Sequence, residues 1–299
     1  MNEAGHRRCW VRLRTLLLLA LVMATLGCGR NDAAPAGDGG PKPHRVVSLS
    51  PSTTEAMFAI GAGHLLVGRS TQCDVPTAAR ALPSVGGFAG PNIEAIVALR
   101  PTLVIGSRSP VGPSLEQRLH GHGIDTLFPP TRSVSDVAKL LTLLGERFEA
   151  GAGASKAVSA LQGRVGRIQA WVAARPKVSA VMVFDASPIF VAGPGSFGDE
   201  LLSLAGGKNL VDHGGSYPTI DIERLLTLDP DVIIDAVAVG QGAPGSSTLK
   251  SSPGWSALRA VKTGRVRLLR SSAALRPGPR IAEGLADVAG ALHDAPPPP

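Results

Sequence analysis

The sequence predicts an α/β protein of two similar Rossmann-like lobes, each a parallel-type sheet flanked by helices, joined by one long backbone helix. Three observations carry that prediction. The first is an internal repeat: residues 93–105 read Ile-Glu-Ala-Ile-Val-Ala-Leu-Arg-Pro-Thr-Leu-Val-Ile, and residues 222–234 read Ile-Glu-Arg-Leu-Leu-Thr-Leu-Asp-Pro-Asp-Val-Ile-Ile, 129 positions further on. Each copy is one supersecondary unit. A cap candidate (Asn92 or Asp221) precedes a short helix with apolar residues at i, i+3, i+4 and i+6, a Pro ends it, and an apolar strand follows. The second observation is that Leu103-Val104-Ile105 and Val232-Ile233-Ile234 are continuously apolar, which suits strands covered on both faces. The third is the spacing of Val158, Leu161, Val165, Ile168 and Val172 between the copies, the stripe of a long amphipathic helix. Gly163 and Gly166 weaken that helix without breaking its pattern.

Taken in order, residues 1–28 read as a lipoprotein signal peptide. Arg7, Arg8, Arg12 and Arg14 precede the apolar run Leu16–Met23, which is short for a membrane span, and the small Gly27 precedes Cys28. Cys28 is then the acylated residue. Thr25 stands where such signals usually carry Leu, and a plain signal peptide cleaved nearby is the alternative. Residues 29–43, rich in Gly, Pro, Ala and Asp, read as a flexible tether. The first lobe spans 44–152. It opens with a strand at Arg45–Leu49 and a helix from Ser52 to about Ile60, in which Ser52 and Glu55 have capping-box spacing. Residues 153–175 form the linking helix. The second lobe spans 176–294 and opens with the strand Val178–Phe184, and residues 295–299 form a disordered Pro-rich tail.

Composition bounds the function. The apolar fraction of 44% supports a large core. Loss of residues 1–27 removes four Arg and one Glu, so the net charge falls from +7 to +4. No Lys/Arg cluster interleaved with aromatics marks a nucleic-acid surface. Cys9 lies in the signal and Cys28 is taken by lipid, which leaves Cys73 and no internal disulfide. A cleft between two lobes joined by a helix is a small-ligand site.

The residues at this point resemble a known family. Arg45-Val-Val-Ser-Leu-Ser-Pro-Ser-Thr-Thr-Glu55, Val67-Gly68, Cys73-Asp74-Val75-Pro76, Gly86-Gly87-Phe88, Asn92-Ile93-Glu94 and Leu99-Arg100-Pro101 are similar to the opening half of the vitamin B12-binding proteins. Gly198–Asn209 and Pro279-Arg280-Ile281 continue the likeness, which covers about residues 44–293. These belong to the helical-backbone substrate-binding proteins of ABC importers. The resemblance implies an exported, monomeric binding protein, held by its lipid at the outer face of a membrane, which delivers a corrinoid to an ABC permease. Ferric-siderophore and haem binders share the scaffold and stand as alternatives. It implies no resident cofactor, no catalysis and no nucleic-acid partner.

Residue by residue, the resemblance implies that Glu94 and Glu223 dock onto permease arginines, one carboxylate per lobe, where bidentate Arg contacts would orient the cleft. Both also read as ordinary first-turn acids favoured by the helix dipole. It places Gln72, Phe88, Tyr217 and the segment Ser272–Arg276 against the ligand: Phe88 and Tyr217 on the ring, Gln72, Ser272 and Arg276 on amides or the nucleotide loop. Phe88 and Tyr217 read equally as ordinary loop or core aromatics, and Trp255, ahead of the apolar stretch to Val261, reads as core. B12 binders line the cleft heavily with Trp and Tyr, whereas this chain has one Tyr.

Metal sites are weakly indicated. His120 and His122 flank Gly121 without further ligands at useful spacing, His64 and His213 are isolated, and Cys73 reads as a small buried residue. An enzyme of another class would rest on Gly193-Pro-Gly-Ser-Phe-Gly198, which formally fits a dinucleotide loop ahead of a helix over Asp199–Leu204. Asp199 and Glu200 put acids where pyrophosphate would sit. No nucleophile–base set accompanies it.

Overall fold

The computed structural model describes residues 44–87, 90–107, 112–240, 249 and 253–298. Cys28, the signal and tether segments and Phe88 lie outside the described residues.

The first lobe is built on β1 (Val46–Ser48), α1 (Pro51–Ala59), β2 (Leu66–Arg69), α2 (Ile93–Ala98), β3 (Leu103–Ile105), α3 (Gly112–Gly121), β4 (Asp125–Leu127) and α4 (Val134–Arg147). Its strands pair in parallel in the order β2-β1-β3-β4. Helix α5 (Gly151–Ala173) follows, 23 residues long, or about 35 Å at 1.5 Å per residue. The second lobe adds β5 (Val178–Ala186), β6 (Ile189–Val191), α6 (Phe197–Leu204), β7 (Gly207–Asn209), β8 (Thr219–Ile220), α7 (Ile222–Leu228), β9 (Val232–Asp235), β10 (Val266–Leu268) and α8 (Ile281–His293). Here β7, β5, β9 and β10 repeat the parallel order of the first lobe, and β6 and β8 extend the sheet antiparallel beyond β5.

The sequence repeat is also a repeat of local structure. Asn92 accepts a hydrogen bond from Ala95 N at 2.8 Å, and Asp221 accepts one from Arg224 N at 2.7 Å, so α2 and α7 start on equivalent caps. They end equivalently too, because Arg100 (φ 47°) and Asp229 (φ 40°) both take the left-handed conformation one residue before the Pro. Other helix starts differ from expectation. The cap of α1 is Ser50, not Ser52: Ser50 is extended, its Oγ accepts from Thr53 N at 3.4 Å, and Pro51 takes the first helical position. No capping box forms, and Glu55 is used elsewhere. Trp255 does not lead a helix to Val261. A 3₁₀ turn (Trp255–Ala257) gives way at extended Leu258 to a single helical turn, Arg259–Lys262.

Among the described residues, alternation along the strands divides the interior into three cores. Val47 and Val104 face one side with Ile96, Leu119 and Ile124. Val181, Val183 and Ile233 face another with Trp255 and Leu258, and Trp255 is fully buried as expected. Val46, Leu103 and Ile105 of the first lobe, and Ala180, Met182, Val232 and Ile234 of the second, share one core through Leu161, Val165, Ile168 and Val172 of α5. Each such aliphatic side chain contributes about 1.5–3 kcal/mol relative to exposure. The lobes therefore pack on a common spine. Gly163 and Gly166 sit on its outer side, and α5 runs through both without interruption. Among the described residues no helix is long and apolar enough to cross a membrane.

Candidate functional site

In an α/β lobe, side chains that follow the carboxyl ends of parallel strands face the ligand crevice. The segments after β1 and β2 carry α1 and the Gln72–Asp74 loop, and a loop of the second lobe, 276–280, lies against them. Glu55 of α1, almost wholly buried, accepts two hydrogen bonds from Arg280, from Nε at 3.0 Å and Nη2 at 2.9 Å. Arg276 Nη1 lies 2.5 Å from Asp74 Oδ1 and 3.9 Å from Glu55 Oε1. Burial pushes the Asp74 carboxyl up, but the Arg276 hydrogen bond and charge more than offset it, so it titrates below its ordinary value. The fork from Glu55 holds Arg280 above its ordinary value.

The structure thus ties Arg276 to an acid of the opposite lobe. Gln72, exposed on the same loop as Asp74, lies beside the Gly86–Gly87 strand, within 3.5 Å of where a Gly87 Cβ would stand. Phe88 follows that strand, outside the described residues. Ser272 is half-buried in the 3₁₀ turn Ser272–Leu275, whose cap is Ser271.

Tyr217 belongs to an aromatic cluster on the second lobe that sequence reasoning did not assemble. Its ring stacks on Phe190 at 5.9 Å and 23°, and Phe184 lies 6.0 Å from Phe190 and 5.9 Å from Tyr217. Backbone geometry builds it: β6 pairs with β8, so Phe190 sits opposite Thr219, two residues beyond Tyr217. Gly193 lets the 214–218 loop press down on the hairpin, since a Cβ there would stand 2.1 Å from Gly215 O. Tyr217 remains 47% exposed, so the cluster is open to solvent. Burial raises its hydroxyl above the ordinary 10.0, against a hydrogen bond from the Phe197 amide.

Glu94 and Glu223 occupy equivalent first-turn positions of α2 and α7, both exposed, and neither carboxylate has an ion pair or hydrogen bond among the described residues. The Gly193–Gly198 loop opens α6 at Phe197, two residues earlier than expected, on a Ser196 cap. Asp199 Oδ2 accepts from Gly195 N at 2.9 Å, so a carboxylate occupies the loop amide that a dinucleotide phosphate would use. Cys73 is buried against the Ser70 hydroxyl, and His120 is bonded to the Thr126 hydroxyl. Among the described residues no three His, Cys, Asp or Glu side chains are grouped to hold a metal ion.

A family described as periplasmic binding protein matches residues 46–273. An uncharacterized ABC transporter substrate-binding lipoprotein of Bacillus subtilis is 29% identical over 84% of this chain and 81% of its own length. The crystal structure of the periplasmic vitamin B12 binding protein of Vibrio cholerae superposes with a TM-score of 0.72 at 26% identity, over 84% of this chain and 97% of that one. A periplasmic heme binding protein from Pseudomonas aeruginosa gives a TM-score of 0.74 at 30% identity, over 86% and 95% of the two chains. Family and fold are those of substrate-binding proteins. The two-lobed architecture, the spine helix and the matched residues together establish that this chain belongs to the periplasmic binding protein family, of the ABC-importer type, with vitamin B12- and heme-binding relatives.

Proposed function

We propose that this chain is the lipid-anchored, extracytoplasmic subunit that captures a corrinoid and delivers it to its ABC permease. The observation that carries the corrinoid reading is the open aromatic cluster Phe184, Phe190 and Tyr217. A broad ring with amide fringes needs apolar faces and rim donors, and the cluster offers the first while Gln72, Ser272 and Arg276 offer the second. The vitamin B12 binding relative supports the same ligand. Glu94 and Glu223, exposed and equivalently placed, are the docking carboxylates, and Cys28 is the acylated residue, as the lipoprotein relative supports.

The heme binding relative keeps a second reading in view. A phenolate ligand to ferric haem would have to come from Tyr217, whose hydroxyl is held protonated beyond its ordinary range by burial. Calorimetric titration of a soluble form beginning after Cys28 tests both. Cyanocobalamin is expected to bind one-to-one with submicromolar affinity, and Tyr217→Ala to weaken it roughly tenfold, the equivalent of one stacked aromatic. Haem binding without cyanocobalamin binding would overturn the corrinoid assignment.

A further inference from the structure

Two segments of the sequence stand out without a role in ligand capture or docking: the stretch that ends at Glu55, and Pro279-Arg280-Ile281. They lie 225 residues apart and meet at the boundary between the lobes. The carboxylate of Glu55 has a side-chain exposure of 4%, and the Arg280 guanidinium closes on it as a two-bond fork. Residues 276–280 read Arg-Pro-Gly-Pro-Arg, a stiff segment with Gly278 at its centre. A Cβ on Gly278 would stand 3.2 Å from Ser52 Cα and 3.7 Å from Glu55 Oε2, so the loop lies backbone-close against the start of α1. Asp74–Arg276 forms a second, more solvent-exposed pair beside the first. Arg280 is also within 3.7 Å of Glu283 of its own lobe.

We propose that Glu55–Arg280 is an interlobe latch that, together with the α5 spine, fixes the separation of the two lobes. The lobes share one apolar core along α5 and are bridged between Glu200 and Val134 N, contacts that are non-directional or neutral on one side. The Glu55–Arg280 fork adds a directional restraint at the lobe boundary, because parting the two groups would strip an almost wholly buried carboxylate of its cation. Glu55 is thus a positioning residue: it holds the loop that presents Arg276, and it keeps the cleft preformed before any ligand arrives. A consequence, which rests on the docking reading above, is that Glu94 and Glu223 keep one spacing whether the cleft is filled or empty.

The test is a distance measurement that needs no ligand. Glu94→Cys and Glu223→Cys, both on exposed helix turns, carry spin labels in the soluble form that begins after Cys28, whose remaining thiol, Cys73, is buried. Pulsed dipolar spectroscopy is expected to give one narrow interlobe distance in the otherwise unmodified chain. Glu55→Gln, which keeps the side-chain shape and removes the charge, is expected to broaden that distribution at least twofold. Arg280→Lys, which keeps the charge and loses the fork, is expected to broaden it less. A broad distribution in the parent, or a folded Glu55→Gln protein with the parent's width, overturns the latch. If Glu55→Gln fails to fold, an unbroadened Arg280→Lys protein does so instead. Cyanocobalamin binding is decided separately, by the titration above on the parent chain.

Discussion

Glycine 153 is a point of close backbone approach between the spine helix and the first lobe, and replacing it with alanine is a sharp test of how the lobes are joined. Gly153 lies in the first turn of α5, and a Cβ there would stand 2.1 Å from Ile60 O and 2.7 Å from Ile60 C. Both neighbours are backbone at the end of α1, so no side chain can rotate away, and the helices must separate by about 1 Å to reach ordinary contact. In an open helix the same substitution would stabilise by roughly 0.5–1 kcal/mol. Forcing the extra carbon into a closed contact costs about 1–3 kcal/mol, so the net effect is a loss of roughly 1–2 kcal/mol. Gly166, in the same helix, is the internal control: no atom lies within 4 Å of its Cβ position and it is exposed. Gly166→Ala is expected to gain about 0.5–1 kcal/mol. For a domain of this size each kcal/mol moves Tm by about 2–4 °C, so circular-dichroism melts and urea midpoints should shift in opposite directions for the two variants. A Gly153→Ala protein as stable as Gly166→Ala would refute the close packing of α1 on α5.

Two further outcomes follow from burial. Glu200 of α6 accepts a hydrogen bond from Val134 N of the first lobe at 2.8 Å, and burial, the largest influence, pushes its carboxyl above the ordinary 4.5. The folded chain therefore takes up this proton at higher pH than the unfolded one, and the associated stability is fully present below about pH 4.5 and lost as pH rises through the raised value. Glu200→Gln keeps an acceptor for Val134 N, so its urea midpoint should gain on the parent as pH rises from about 4 to 7; a flat or reversed gap would contradict the assignment. Trp255 is 1% exposed between Val181, Val183, Ile233 and Leu258, and Trp255→Ala is expected to cost about 3–5 kcal/mol in denaturant unfolding. A loss under about 1 kcal/mol would mean that the site collapses around the void.

The architecture was legible because its signals are local. The caps at Asn92 and Asp221, the Pro at the end of each repeat helix and the strands that follow all act within a few residues of one another. Glu94 and Glu223 could be paired across 129 positions because a repeat preserves place in a helix. The start of α1 differs from the expected Ser52 for a local reason as well: Ser50 and Ser52 both precede a Thr- and Glu-containing turn, and Pro51 at the first helical position tips the cap to Ser50.

The partners of buried charges and the faces of aromatics belong to a different class of information. Glu55 has the spacing of a capping-box acid, yet its carboxylate is taken by Arg280, 225 residues away. Phe184 and Phe190 sit in strand sequences indistinguishable from core, and only the pairing of β6 with β8 brings them under Tyr217. Periodicity and capping read short-range backbone geometry, which a chain carries with it before it folds. A guanidinium finds a carboxylate of the other lobe only after the lobes have packed on α5, and three rings meet only once β5, β6 and β8 have paired, because the distances that decide those contacts do not exist in the unfolded chain.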